Sequence, residues 1–108
     1  MPHAEIKHSS DLHIDARALL KTIEATIAAR DPGAGACKGR AYPTDVFHHT
    51  HILIHVSMLP KAHRDNDWTT ATLAELEQAV KAHIMEPCAF SLMVEFSPQS
   101  YVTHAYTP

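Results

Sequence analysis

The chain opens Met1-Pro2-His3, and the second residue has distinctive chemistry. Methionine aminopeptidase removes an initiator methionine that precedes a small residue such as proline. Loss of Met1 would give Pro2 a free secondary amine on a rigid ring. An α-amino group titrates at about 7.7–8.0, far below a lysine. A modest push from desolvation or a neighbouring cation makes such an amine a neutral base at physiological pH. While Met1 stays in place, the Pro2 nitrogen is an amide and has no such capacity.

The ten histidines offer a rival chemistry. His49, His51 and His55 are expected on one strand face, with His48 beside them. A His-x-His pair on a strand can bring two imidazoles to one metal ion. Metal binding, or a metal-dependent hydrolase, is the alternative function. Against it stand the lack of an HExxH helix pair and the scarcity of nearby carboxylates, Asp45 apart. A structural role at a subunit boundary also fits, and such histidines would titrate between pH 5 and 8. Cys37 and Cys88 are isolated, as expected of buried thiols in a reducing cytoplasm. The sequence alone leaves a disulfide between them open.

These groups need a scaffold, and hydrophobic periodicity supplies one. Residues 2–8 alternate, with Ala4, Ile6 and His8 on one side, as in a short strand. Ser9-Ser10-Asp11 reads as a helix start. Leu12, Ala16, Leu19, Leu20, Ile23 and Ile27 then recur at helical spacing, predicting a helix over 11–30 that Asp31-Pro32-Gly33 stops. Residues 34–50 read as one irregular strand or two short ones. HILIHVSML at 51–59 is a strand with Ile52, Ile54, Val56 and Met58 on one face. A second helix is capped by Asn66 or Asp67, carries Leu73, Leu76, Val80 and Ile84, and ends at Glu86-Pro87. AFSLMVEFS at 89–97 alternates as a last strand. The tail from Pro98 has no clear period.

Strand–helix–strand therefore occurs twice. Each βαβ unit implies parallel strands within a half and a right-handed crossover. The expected fold class is α+β: two βαβ units forming a four-stranded mixed sheet with both helices on one face. The other face would be bare, and packing against further subunits is the simplest cover.

The size, 108 residues, fits one domain spanning 1–108. A net charge of −3 gives no footprint for nucleic acid or an anionic membrane. No apolar run suits a membrane span, and no signal peptide is expected at the start.

Taken together, the order and spacing resemble a family. Pro2 opens a short strand and a double βαβ follows. A basic segment reads Lys38-Gly39-Arg40, and IHVSML runs into Pro60-Lys61-Ala62-His63-Arg64. The chain is similar to the 5-carboxymethyl-2-hydroxymuconate isomerases of the tautomerase superfamily from MPH to SLMVEFSP. The resemblance implies a tautomerase-like fold, a homotrimer, an amino-terminal proline base and no metal or organic cofactor. It implies an unsaturated di- or tricarboxylate enol as substrate, in cytoplasmic catabolism of aromatic compounds. Carried over by residue, Pro2 is the base and Arg64 a substrate-binding arginine. Lys38 and Arg40 take two basic positions on the second strand, with lysine where some relatives have arginine. Lysine is a point charge, whereas arginine grips a carboxylate with a planar fork, so the second cationic contact is either Lys38 or Arg40. A non-catalytic oligomeric binding protein remains a third reading.

Tautomerisation suits such residues. A base near pKa 7 takes a proton and returns it elsewhere. The dienolate between these steps puts charge on oxygen, which fixed cations stabilise. Arg64, Arg40 and Lys38 are the expected cations, and Phe47 or Tyr42 the expected apolar wall.

Overall fold

The structure is a computed structural model describing residues 1–108. Its elements are β1 (His3–Ser9), α1 (Ala16–Arg30), β2 (Lys38–Thr44), β3 (His51–Met58), α2 (Asn66–Lys81) and β4 (Ala89–Phe96), with a 3-10 turn at Pro32–Ala34. The sheet order is β2-β1-β3-β4. β1 runs parallel to β2 and β3 parallel to β4, while β1 and β3 are antiparallel. This is the expected double βαβ in a mixed sheet.

Alternation sorts the two faces. Ala4, Ile6, Ile52, Ile54, Val56 and Met58 point to the helices and are essentially inaccessible. Leu19, Ile23 and Ile27 of α1 and Leu76 and Val80 of α2 meet them. Burying such side chains contributes roughly 1.5–3 kcal/mol each, so this layer is the main source of stability. The opposite face carries His3, Glu5, Lys7, Lys38, Arg40, Tyr42, His51, Leu53 and His55, in register across β1, β2 and β3. It is open and mainly polar.

Some expectations shift. The first helix starts at Ala16, not near residue 11. Asp15 caps it by accepting from the Ala18 N–H at 3.1 Å. β1 continues to Ser9, and the Ser10 N–H donates to Thr44 while the Leu12 N–H donates to Ser9. Leu12 is still buried, from a turn rather than a helix. The second helix is capped by Asp65, not Asn66 or Asp67, through the Trp68 N–H at 2.8 Å. Its buried stripe is Thr72, Leu76 and Val80; Leu73 is half-buried. Thr72 tolerates burial because its hydroxyl donates to Trp68 O and accepts from Arg30 Nε, both at 2.7 Å.

One strand, not two, fills residues 38–44. Gly39 lets it approach α1, since a Cβ there would lie 2.6 Å from Leu20 Cδ2. Gly39 thus faces the helix while its neighbours Lys38 and Arg40 face the open side. Both cysteines are free thiols, and burial pushes the Cys37 thiol up to about 11, so it stays protonated and unreactive. No helix is long and apolar enough to cross a membrane.

Candidate active site

Pro2 is buried at the start of β1, between the beginning of β2 and the end of β3. On one side, the Lys38 N–H donates to the Pro2 carbonyl at 2.9 Å. On the other, His3 lies opposite Ser57, so the antiparallel register brings the end of β3 to the amino terminus. Met1 is present and half-buried, with its sulfur accepting from the Thr103 hydroxyl at 3.8 Å. Burial, then the charges of Arg64 and Lys61, lower the pKa of the amino terminus below its usual value.

Arg64 is therefore near the amino terminus, but it is not free. Its side chain is 2% exposed. Nε and Nη2 donate to Asp31 Oδ2 at 3.0 and 2.7 Å, and Nη1 donates to the Leu59 carbonyl at 2.6 Å. Its guanidinium also lies 5.6 Å from the Trp68 ring centre, as does that of Arg30. The cation holds together the end of α1, the loop after β3 and the start of α2.

Asp31, the partner of Arg64 and His63, is the charged residue of this region that sequence reasoning missed. Burial alone would raise its pKa. Hydrogen bonds from His63 (2.9 Å) and Arg64, with their charges, overcome this and hold it at about 2. It stays ionised at any physiological pH. An available signal was its place just past a helix C-terminus, where the helix dipole disfavours an acid and some other cation must compensate.

Arg40 is also engaged. It donates to Glu5 Oε1 from Nε (3.2 Å) and Nη2 (2.9 Å), and Nη1 lies 3.3 Å from His3 Nδ1. Burial, Arg40, the amino terminus and Lys38 together lower the His3 pKa against the pull of Glu5, placing all four groups in one electrostatic neighbourhood. Lys38 is exposed.

Phe47 is not brought to this site within one chain. It follows β2 at the end remote from Pro2, six strand steps away, or roughly 20 Å at the usual rise per residue. Tyr42, opposite Lys7, is likewise displaced.

The histidines do not form a metal centre. No group of three or more His, Cys, Asp or Glu side chains is placed to hold a metal ion. His49 precedes the strand with φ 66° and its ring lies tilted against that of His48, while the His51 ring meets the His49 carbonyl at 2.9 Å. His55 pairs instead with Glu95 at 2.9 Å. Of the three histidines expected on one strand face, His51 and His55 share it, while His49 falls outside because the strand begins only at His51.

Three surface cavities exist, and Pro2 lines none of them. The largest, about 340 Å³, lies between α2 and β4. A second, about 300 Å³, continues along the same edge. A third, about 100 Å³, sits on the open sheet face among Glu5, Lys7, Leu53, His55 and Met93.

No protein-family model matches the sequence, and no curated protein matches it. Solved structures do. A 5-carboxymethyl-2-hydroxymuconate isomerase from Deinococcus radiodurans R1 superposes with a TM-score of 0.78 at 15% identity, covering 98% of this chain and 90% of that one. A 5-carboxymethyl-2-hydroxymuconate delta-isomerase gives 0.76 at 14% identity, covering 98% and 89%. A fused 4-OT wild-type symmetric trimer gives 0.74 at 16% identity, covering 95% and 91%. The chain has the tautomerase-like α+β fold over nearly its whole length.

Proposed function

We propose that this protein, once Met1 is removed, is a keto–enol tautomerase acting on an unsaturated 2-hydroxy carboxylic acid, with Pro2 as its base. The carrying observation is the setting of the amino terminus. Burial, Arg64 and Lys61 all push the Met1 amine toward the neutral form, and a Pro2 amine would stand one residue further along, beside the same groups. The fold and its structural neighbours, two of them isomerases of a hydroxymuconate, support the reading.

The steps follow from proton movement alone. The neutral Pro2 nitrogen takes a proton from one end of the conjugated system. Negative charge spreads over the dienolate to an oxygen, where nearby cations stabilise it. The protonated amine then returns the proton at the other end. No electrons leave or enter, so the chemistry calls for no redox partner. Arg64, buried and held in place by its ion pair with Asp31, contributes by position: its guanidinium stays fixed near the base. Loss of Met1 would open the space in front of the Pro2 nitrogen.

The assembly is part of the proposal. A homotrimer, the state of the fused 4-OT neighbour, would cover the open sheet face. In such an assembly, Phe47 would reach a pocket only from a neighbouring subunit.

The test is ketonisation of 2-hydroxymuconate and phenylenolpyruvate by protein whose intact mass shows Met1 gone. Turnover that falls about 10²–10⁴-fold in Pro2→Ala supports the base. Absence of turnover in the wild type, or full activity in Pro2→Ala, rejects it.

A further inference from the structure

The resemblance assigns carboxylate binding to arginines, yet the structure gives both arginines carboxylate partners of their own. Arg64 is buried and shares Asp31 Oδ2 through two donors. Arg40 shares Glu5 Oε1 through two donors. A ligand carboxylate would have to displace an intramolecular one in either place, and at Arg64 it would also have to enter a site with 2% exposure.

Two lysines flanking the same terminus are in the opposite condition. Lys38 and Lys61 are exposed. Neither takes part in an ion pair; every pair uses other residues. Lys38 opens β2, and its own N–H binds the Pro2 carbonyl. Lys61 follows β3, and its carbonyl accepts from the Arg64 N–H at 2.9 Å, closing a turn. β1 separates β2 from β3, and His3 lies opposite Lys38 on one side and Ser57 on the other, so Lys38 and the segment that leaves β3 toward Lys61 approach the amino terminus from opposite sides.

We infer that Lys61 is a carboxylate-binding residue of this site, and that with Lys38 it brackets Pro2 to hold the two ends of a conjugated dicarboxylate. The inference rests on the enol-acid reading and assigns that reading's ligand contacts. Arg64 and Asp31 then act as a fixed support below Lys61, and Arg40 remains tied to the open sheet face. An ammonium on a flexible stem accepts carboxylates at varied angles, so this clamp would tolerate diacids of differing geometry better than an arginine fork.

The test is calorimetric binding of cis,cis-muconate, a conjugated dicarboxylate without the reacting hydroxyl, to Met1-free protein. The wild type should bind, Lys61→Gln should bind about tenfold more weakly or worse, and Lys61→Arg should stay within about threefold. Lys61 is exposed, so folding should be unaffected, which circular dichroism checks. Lack of binding by the wild type, or Lys61→Gln within about twofold of it, overturns the inference. Muconate binding with the expected pattern but no turnover of 2-hydroxymuconate would remove the tautomerase reading while leaving the lysine contacts standing.

Discussion

Asp31 Oδ2 lies 2.7 Å from Arg64 Nη2 and 3.0 Å from its Nε, so the buried guanidinium has a carboxylate partner before any ligand arrives. This pairing joins residues 33 positions apart. It ties the end of α1 to the start of α2 beneath the amino terminus. Arg64, a cation expected at the site from the sequence, is tied to a carboxylate of its own chain, and its charge reaches the amino terminus.

Asp31→Asn should therefore be strongly destabilising. Arg64 would keep a buried charge without its partner, a loss of about 3–5 kcal/mol. Thermal unfolding followed by circular dichroism should show a melting temperature lower by about 10 °C or more. A shift of only a degree or two would mean that water replaces the carboxylate easily.

The same pair predicts an acid limit. Asp31 has its folded pKa at about 2, below the ordinary value of 3.8. A depressed carboxylate contributes stability above its unfolded pKa and loses it as pH falls through the folded one. The window is thus about pH 4 down to 2, and the contribution is on the order of 2 kcal/mol. Urea midpoints measured across that range should fall in the wild type and change less in Asp31→Asn. Parallel curves for the two proteins would rule Asp31 out as the source.

Asp65→Ala should loosen the start of α2. The lost cap to the Trp68 N–H costs about 1 kcal/mol. Because Trp68 covers Arg64 and Arg30, its fluorescence should change in the native state as well. Unaltered stability and emission would show the cap to be dispensable.

Truncating the centre of the sheet tests the core. Ile54 is fully buried between the helices and flanking strands, and Ile54→Ala should cost about 2–5 kcal/mol. A smaller loss, measured by urea unfolding, would indicate that α1 and α2 collapse into the space.

Much of this fold is visible in the sequence because two faces of each strand differ so sharply. Ile52, Ile54 and Val56 alternate with Leu53 and His55, and their burial follows that pattern. The boundary at α1 was harder. Leu12 sits at helical spacing from Ala16 and Leu19, yet a turn can bury it equally well, and Asp15 supplies the cap that sets the true start. Thr72 hid for a similar reason: a hydroxyl joins an apolar stripe when its hydrogen bonds are internal. The site was less legible than the fold. Whether Lys38, Arg40, Lys61 or Arg64 is free depends on Glu5 and Asp31, partners more than thirty residues away. Local spacing has no access to such pairings. Phe47 shows the same limit, since its distance from Pro2 follows from the parallel register of β1 and β2.

The most direct measurement is the titration of the Pro2 nitrogen itself, by NMR of protein labelled with ¹⁵N-proline and shown by mass to lack Met1. One proline nitrogen should titrate with a midpoint below the ordinary value of about 7.7–8.0 for an α-amine, giving a neutral base at physiological pH. A midpoint at or above that value, or no titrating proline nitrogen, would contradict Pro2 as the base.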